Sequence, residues 1–240
     1  MRASHLNKAL AFSLISWERF IGNEGCMSEE VDQVDSLKTL EEVFNVDPRN
    51  EQYAIQEWHR NLAEISLSRN TPIEVKQLFE NAKNIALYTY FSYRLHQSAE
   101  TIAYSALEQA LKFKFEQEQN RINFKKRPKR LEQYMDIALE QGWITDEGYE
   151  SSRNIAIGRV EQRKILEIIE SQKLKEGVAI PVPEASEIEI VEEMKTMRVA
   201  EHRLHAGRHV RNYLAHGNGG LAPTSFSTLR CIAEEINQLF

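Results

Sequence analysis

The chain has 240 residues, 42% of them hydrophobic, with 10 glycines and 6 prolines, a composition that excludes a disordered or collagen-like polypeptide and allows a sizeable core. A formal net charge of −6 excludes a protein that coats nucleic acid through bulk charge, while leaving room for a local basic groove. The two cysteines, Cys26 and Cys231, fit neither a metal-ligand spacing nor a disulfide framework, which suits a reducing cytoplasm.

At the N-terminus, Arg2 and Lys8 precede the apolar run Ala9 to Trp17, an arrangement shared with short signal sequences. Glu18 and Arg19 follow at once, no small-residue pair stands at cleavage-site spacing, and the polar Asn23 and Glu24 ahead of Cys26 argue against lipoprotein processing. Residues 1–26 are therefore read as an N-terminal extension, with Met27 an alternative start. No apolar stretch approaches the roughly 20 residues of a membrane-spanning helix, so the expectation is a cytoplasmic protein without a membrane segment.

Residues 27–70 are expected to form an N-terminal helical segment. Val31, Val34, Leu37, Leu40, Val43 and Phe44 keep a three-to-four spacing from Ser28 until Asp47-Pro48 interrupts it, and a second helix is predicted from Glu51 to Ser68. Thr71-Pro72-Ile73-Glu74 then places an N-cap, a proline at the first helical position and a capping-box glutamate. From there a long helix is predicted to about Glu118, with a kink or break near Tyr88 to Leu95 and with Tyr104, Leu107 and Leu111 in the core.

Arg121, Lys125, Lys126, Arg127, Lys129 and Arg130 make the next connection strongly basic, suited either to tracking an RNA backbone or to bathing in solvent. A helix from Leu131 to Gln141 closes at Gly142, and another is predicted from Asp146 to Lys175. Gly177 to Pro183 reads as a linker, Ser186 to His216 as one long helix, Gly217 to Pro223 as a turn and Thr224 to Phe240 as a final helix. Strand-like alternation is nearly absent, so the fold class is all-α, with residues 71–240 as its bundle.

The helix ending at His216 carries the chemistry. His205, His209, Asn212 and His216 fall on one stripe, flanked by Arg208 and Arg211, with Val199, Gly207, Val210 and Leu214 on the opposite side and Tyr213 expected against a neighbouring helix. Metal-free RNA cleavage needs a base for the 2′-hydroxyl proton and a cation to hold the phosphate. Histidine exchanges a proton near neutral pH, and arginine offers a fork of donors matched to phosphate oxygens. Asn212 suits either orienting a partner or binding a phosphate oxygen. Arg211 and His216 lie about 140° apart around the helix, so they flank a groove without touching.

Arg211-Asn212-Tyr213-Leu214-Ala215-His216 resembles the Arg-polar-x-x-x-His signature of the HEPN superfamily of helical ribonucleases. Tyr104 to Lys112 resembles the helix that this family packs beside its motif helix, and Leu131 to Ile144 resembles the middle of bacterial members related to the DUF4145 group. The resemblance covers about Thr71 to Phe240. It implies an antiparallel helical bundle that dimerises with motif helices facing across a cleft, and RNA cleavage without metal or cofactor to leave a 2′,3′-cyclic phosphate. It also implies a toxin or phage-defence role, with an antitoxin or regulatory protein as a further partner. By the same resemblance Arg211 and His216 are catalytic and Asn212 supports them. One subgroup has a tyrosine two residues after the histidine, where this chain has Asn218, so control through that tyrosine is not expected.

Blander readings stand beside these. His216 before Gly217 also suits a helix C-terminus, where a cation meets the dipole. His202, His205 and His209 have zinc-compatible spacings, but only Glu201 lies near enough to add a ligand, so no metal is expected and His205 and His209 are read as groove-lining, RNA-contacting residues alongside Arg208. The alternative to an enzyme is a catalytically silent helical adaptor that binds RNA, a nucleotide or a protein through the same cleft.

Overall fold

A computed structural model describes residues 35–121, 127–172, 181–215 and 222–240. Among them no strand occurs, and the predicted all-α class holds. The helices are α1 (Ile55–Ala63), α2 (Ile73–Tyr88), α3 (Leu95–Glu118), α4 (Leu131–Glu140), α5 (Glu150–Gln172), α6 (Glu187–Met197), α7 (Val199–Ala215) and α8 (Ser225–Leu239), with 3-10 turns at Pro48–Asn50 and Asp146–Gly148.

Helix α3 is the hub, packing against α2, α4, α7 and α8. Its sequence explains the position: Ala99, Ala103, Ala106 and Ala110 let neighbouring backbones approach, while Leu107 and Leu111 fill the space between them, all fully buried. Each such leucine contributes about 1.5–3 kcal/mol by leaving water. Phe79 of α2, Tyr134 and Met135 of α4, Leu204 of α7 and Leu229, Ile232 and Ile236 of α8 complete this core. The α5–α6 pair builds a separate small cluster from Ala156, Ile190 and Met194. Ion pairs Arg153–Glu187 (2.6 Å) and Lys164–Glu189 (2.7 Å) line its edges.

Several expected boundaries move. Residues 35–44 form no helix: turns close from Thr39 O to Glu42 N and from Glu42 O to Asn45 N, while Leu37, Leu40 and Phe44 stay exposed. The expected helix over Ser28 to Val34 lies outside the described residues. The strap is fixed instead by the Asp47 amide donating to Tyr90 O and by Asp35 pairing with Arg49 and Arg94. Helix α1 is shorter than predicted, and Trp58 anchors it by donating to Ala86 O and packing edge-on to Phe226.

Thr71 does not cap α2, because the helix starts at Ile73 with Pro72 in the cap position, and the buried Thr71 hydroxyl has no hydrogen-bond partner among the described residues. The break predicted near Tyr88 to Leu95 is present between α2 and α3, where Thr89 Oγ1 bonds back to Ala86 O. Gly142 closes α4 with φ +64°, the left-handed cap that glycine takes without a Cβ penalty. The single helix expected from Asp146 becomes a 3-10 turn followed by α5.

The largest correction concerns the motif helix. Ser186 to His216 is not continuous: α6 starts in a complete Ser186–Glu189 capping box and ends at Arg198, whose φ of 52° is left-handed, and α7 begins at Val199. The Ala200 amide donates to Asp146 Oδ1 (2.8 Å), tying the start of α7 to the turn before α5. That contact and the burial of Ala200 and Leu204 against the core outweigh helical continuity at Arg198.

Candidate functional site

Helix α7 lies against α3 and α4 and is set by a close approach at Gly207. A Cβ there would stand 3.1 Å from Cε1 of the buried Tyr104, so glycine lets the two helices meet. Ala200 and Leu204 are buried, Val199, Val210 and Leu214 pack on the core, and the predicted apolar side is confirmed. Tyr213 is half exposed.

Arg211 sits one heptad after Leu204, about 20° from it around the helix, and so at the edge of the core-facing arc. Its Nη2 lies 3.5 Å from Glu108 Oε2 of α3, and Glu108 also receives Lys112 Nζ at 2.7 Å. Arg208 reaches the other way, donating to Glu132 Oε1 in the first turn of α4 at 2.6 Å. The two arginines are thus divided between neighbouring helices. His205 borders a shallow crevice with Arg208, Met135, Asp136 and Leu139. His209 and Asn212 are exposed.

His216, Lys125 and Lys126 lie outside the described residues. Of the remaining basic connection, Arg127 pairs with Glu116 of α3 at 2.5 Å, while Lys129 and Arg130 are exposed just ahead of α4, at the end where Glu132 holds Arg208. Arg208, Lys129 and Arg130 therefore share one end of α4, and Arg211 belongs to the α3 seam. Glu108 and Glu132 were not among the residues singled out from sequence. In a chain this rich in charge, Glu108 followed by Lys112 reads only as a surface helix pair.

A second polar constellation was also missed, on the other half of α7. Arg203 donates to Ser151 Oγ of α5 (2.5 Å) and to Glu234 Oε2 of α8 (3.0 Å), contacts Cys231 Sγ (3.2 Å) and stacks over Tyr149 at 4.6 Å. Behind it, Glu235 is buried and accepts from the Tyr149 hydroxyl at 3.3 Å. Burial pushes the Glu235 carboxyl up to about 8, against the pull of Arg203, and the Cys231 thiol up to about 11. At the far end of the core, His96 Nδ1 bonds Ser225 Oγ (2.7 Å), and burial lowers its pKa to about 4.

Among the described residues no group of three or more His, Cys, Asp or Glu side chains is placed to hold a metal ion. Among them, too, no helix is long and apolar enough to cross a membrane. No protein-family model matches the chain, and neither does any curated protein or solved structure.

Proposed function

We propose that the chain is a metal-independent endoribonuclease of HEPN type, acting as a homodimer, with Arg211 and His216 of each protomer lining a shared cleft. His216, the residue after the end of α7, takes the proton of a ribose 2′-hydroxyl. The 2′-oxygen bonds to the adjacent phosphorus, the bond from phosphorus to the 5′-oxygen breaks, and the 5′-oxygen leaves by taking a proton from water, to which His216 then returns the proton it holds. Arg211 offers its guanidinium to the phosphate as charge builds there, and Asn212 supplies a further polar contact. RNA is the substrate, and a toxin or defence role with a regulatory protein partner follows from the same resemblance. The observation that supports this reading best is the state of Arg211: its side chain is 42% exposed and makes one long ion-pair contact, so its donors remain within reach of an incoming anion.

The reading predicts that wild type cleaves RNA in EDTA, leaving 2′,3′-cyclic phosphate ends, and that Arg211→Ala and His216→Ala each lower the rate by at least about a hundredfold. Helix content and oligomer mass should stay unchanged. Cleavage surviving in both variants would remove the assignment.

One observation favours a second reading. Arg208 and Arg211 both have carboxylate partners within the chain, as structural ion pairs do, which fits a silent adaptor that binds RNA, a nucleotide or a protein. High expression tolerated equally by wild type and His216→Ala would favour the adaptor.

A further inference from the structure

The carboxylate of Glu108 stands between two cations of different helices, Lys112 Nζ at 2.7 Å and Arg211 Nη2 at 3.5 Å. Glu108 is itself only 22% exposed, whereas Lys112 and Arg211 are 40% and 42% exposed. The acid is therefore the inner member of the group and the two cations its outer members. Its contact with Arg211 is single and long, where a strong arginine–carboxylate pair is bidentate and near 2.8 Å. Arg208 differs, since its bond to Glu132 is short and its side chain is 24% exposed.

We propose that Glu108 is a resident counter-ion: it occupies the anion position between Arg211 and Lys112, and a phosphodiester group enters that position only by displacing it. The inference rests on the ribonuclease reading of Arg211 and adds a positioning residue to it. Geometry makes the exchange feasible. The guanidinium presents five donors and Glu108 engages it at one, so a phosphate with two free oxygens can form the bidentate contact that the glutamate does not. The pairing also sets a threshold. A lone anion meets a site in which Glu108 already offsets one of the two positive charges, whereas a nucleic-acid strand presses successive phosphates on Arg211, Lys112 and their neighbours together. Glu108 thus disfavours stray anions more than polyphosphate chains.

Arginine reactivity tests the pairing without relying on RNA cleavage. Phenylglyoxal modifies guanidinium groups, and peptide mass spectrometry gives the rate at each arginine. Glu108→Gln is expected to speed modification of Arg211 by about threefold or more, to leave Arg208 unchanged as an internal reference, and to be largely reversed in Glu108→Asp. An Arg211 rate equal to that of wild type would overturn the proposal. A 2′-O-methyl oligonucleotide, which cannot be cleaved, is then added as competitor. In Glu108→Gln it should protect Arg211 at lower concentration, and its binding should fall more steeply with salt, by about 0.7 in log–log slope per cation freed. Faster modification without protection in either protein would overturn the displacement step. Faster modification with protection, but no cleavage of ordinary RNA by wild type or variant, would support the counter-ion and remove the nuclease reading instead. Circular dichroism on each variant confirms that α3 is intact.

Discussion

Arg203 and Arg211 stand on one helix, about two turns apart, yet they live in different chemistries. Arg203 has a hydroxyl, a carboxylate, a thiol and an aromatic face around it, drawn from α5, α8 and the segment between α4 and α5. Arg211 has one carboxylate contact at 3.5 Å. A cation whose fork is filled by the protein is a fastener, and a cation left largely unfilled is available to something else. The contrast runs along α7: Ala200, Leu204 and Arg203 are buried or filled by partners, whereas beyond Gly207 the helix still packs through Val210 and Leu214 but turns His209, Asn212 and Tyr213 to the surface.

The widest gap between the two halves should be in stability. Arg203→Ala leaves Glu234 without its cation and removes the stacking on Tyr149, so we expect a loss of about 3 kcal/mol, in the range for breaking a poorly solvated ion pair. Arg211→Ala removes a half-exposed contact and should cost less than about 1 kcal/mol. Urea titrations of the two variants beside wild type measure both. Similar losses for the two would erase the distinction between fastener and available cation.

The same distinction can be sharpened by pH, because the Arg203 half of α7 faces the buried Glu235 of α8. A carboxyl raised from 4.5 to about 8 in the folded protein keeps its proton where the unfolded chain has released it. Its contribution is complete below 4.5 and is lost as pH rises towards 8, at up to about 1.4 kcal/mol per pH unit. His96 runs the other way. Its pKa is lowered from 6.5 to about 4, so the folded state loses stability as pH falls from 6.5 towards 4. The two trends offset each other between 4.5 and 6.5, leaving the Glu235 trend between 6.5 and 8, in the same direction as the raised carboxyls of Glu100 and Glu234. Wild type should therefore lose about 2 kcal/mol across that interval. Glu235→Gln should lose clearly less there. Parallel losses in both proteins would show that Glu235 is not the titrating group.

Much of the bundle was legible in the sequence, and the reasons are local. Gly142 marks the end of α4 because only a left-handed residue closes that helix so cheaply, and the interruption between α2 and α3 falls where it was expected. The core residues of α3 follow from helical spacing alone. The failures share a different cause. Leu37, Leu40 and Phe44 keep a helical period but stay exposed among the described residues, so periodicity without burial misleads. Glu108 and Arg203 acquire their roles from residues on other helices, and nothing in their own neighbourhoods signals those partners. At the site, Arg208, Arg211, His209 and Asn212 were identifiable as residues on α7. That Arg208 and Arg211 would be divided between α4 and α3 required the packing.

Arg198 is the clearest of these cases and also the smallest lever on the comparison. It stands between α6 and α7 with φ of 52°, a left-handed conformation in which an L side chain crowds its own backbone at a cost of about 1 kcal/mol. Sequence patterns place helix breaks at glycine, asparagine or proline, so an arginine inside an apolar helical repeat gives no warning. The break is imposed from outside, by the Ala200 amide bonding Asp146 and by Ala200 and Leu204 settling on the core. Glycine relieves the crowding but gives the unfolded chain more freedom, so the two effects partly cancel. We expect Arg198→Gly to gain about 0.5 kcal/mol in urea titration, with Asp146→Ala losing more than that because α7 then lacks its tether. A clear loss in Arg198→Gly would mean that the arginine itself, through its pairing with Glu201, starts α7, and that the fastened half of the helix begins one residue earlier than its backbone suggests.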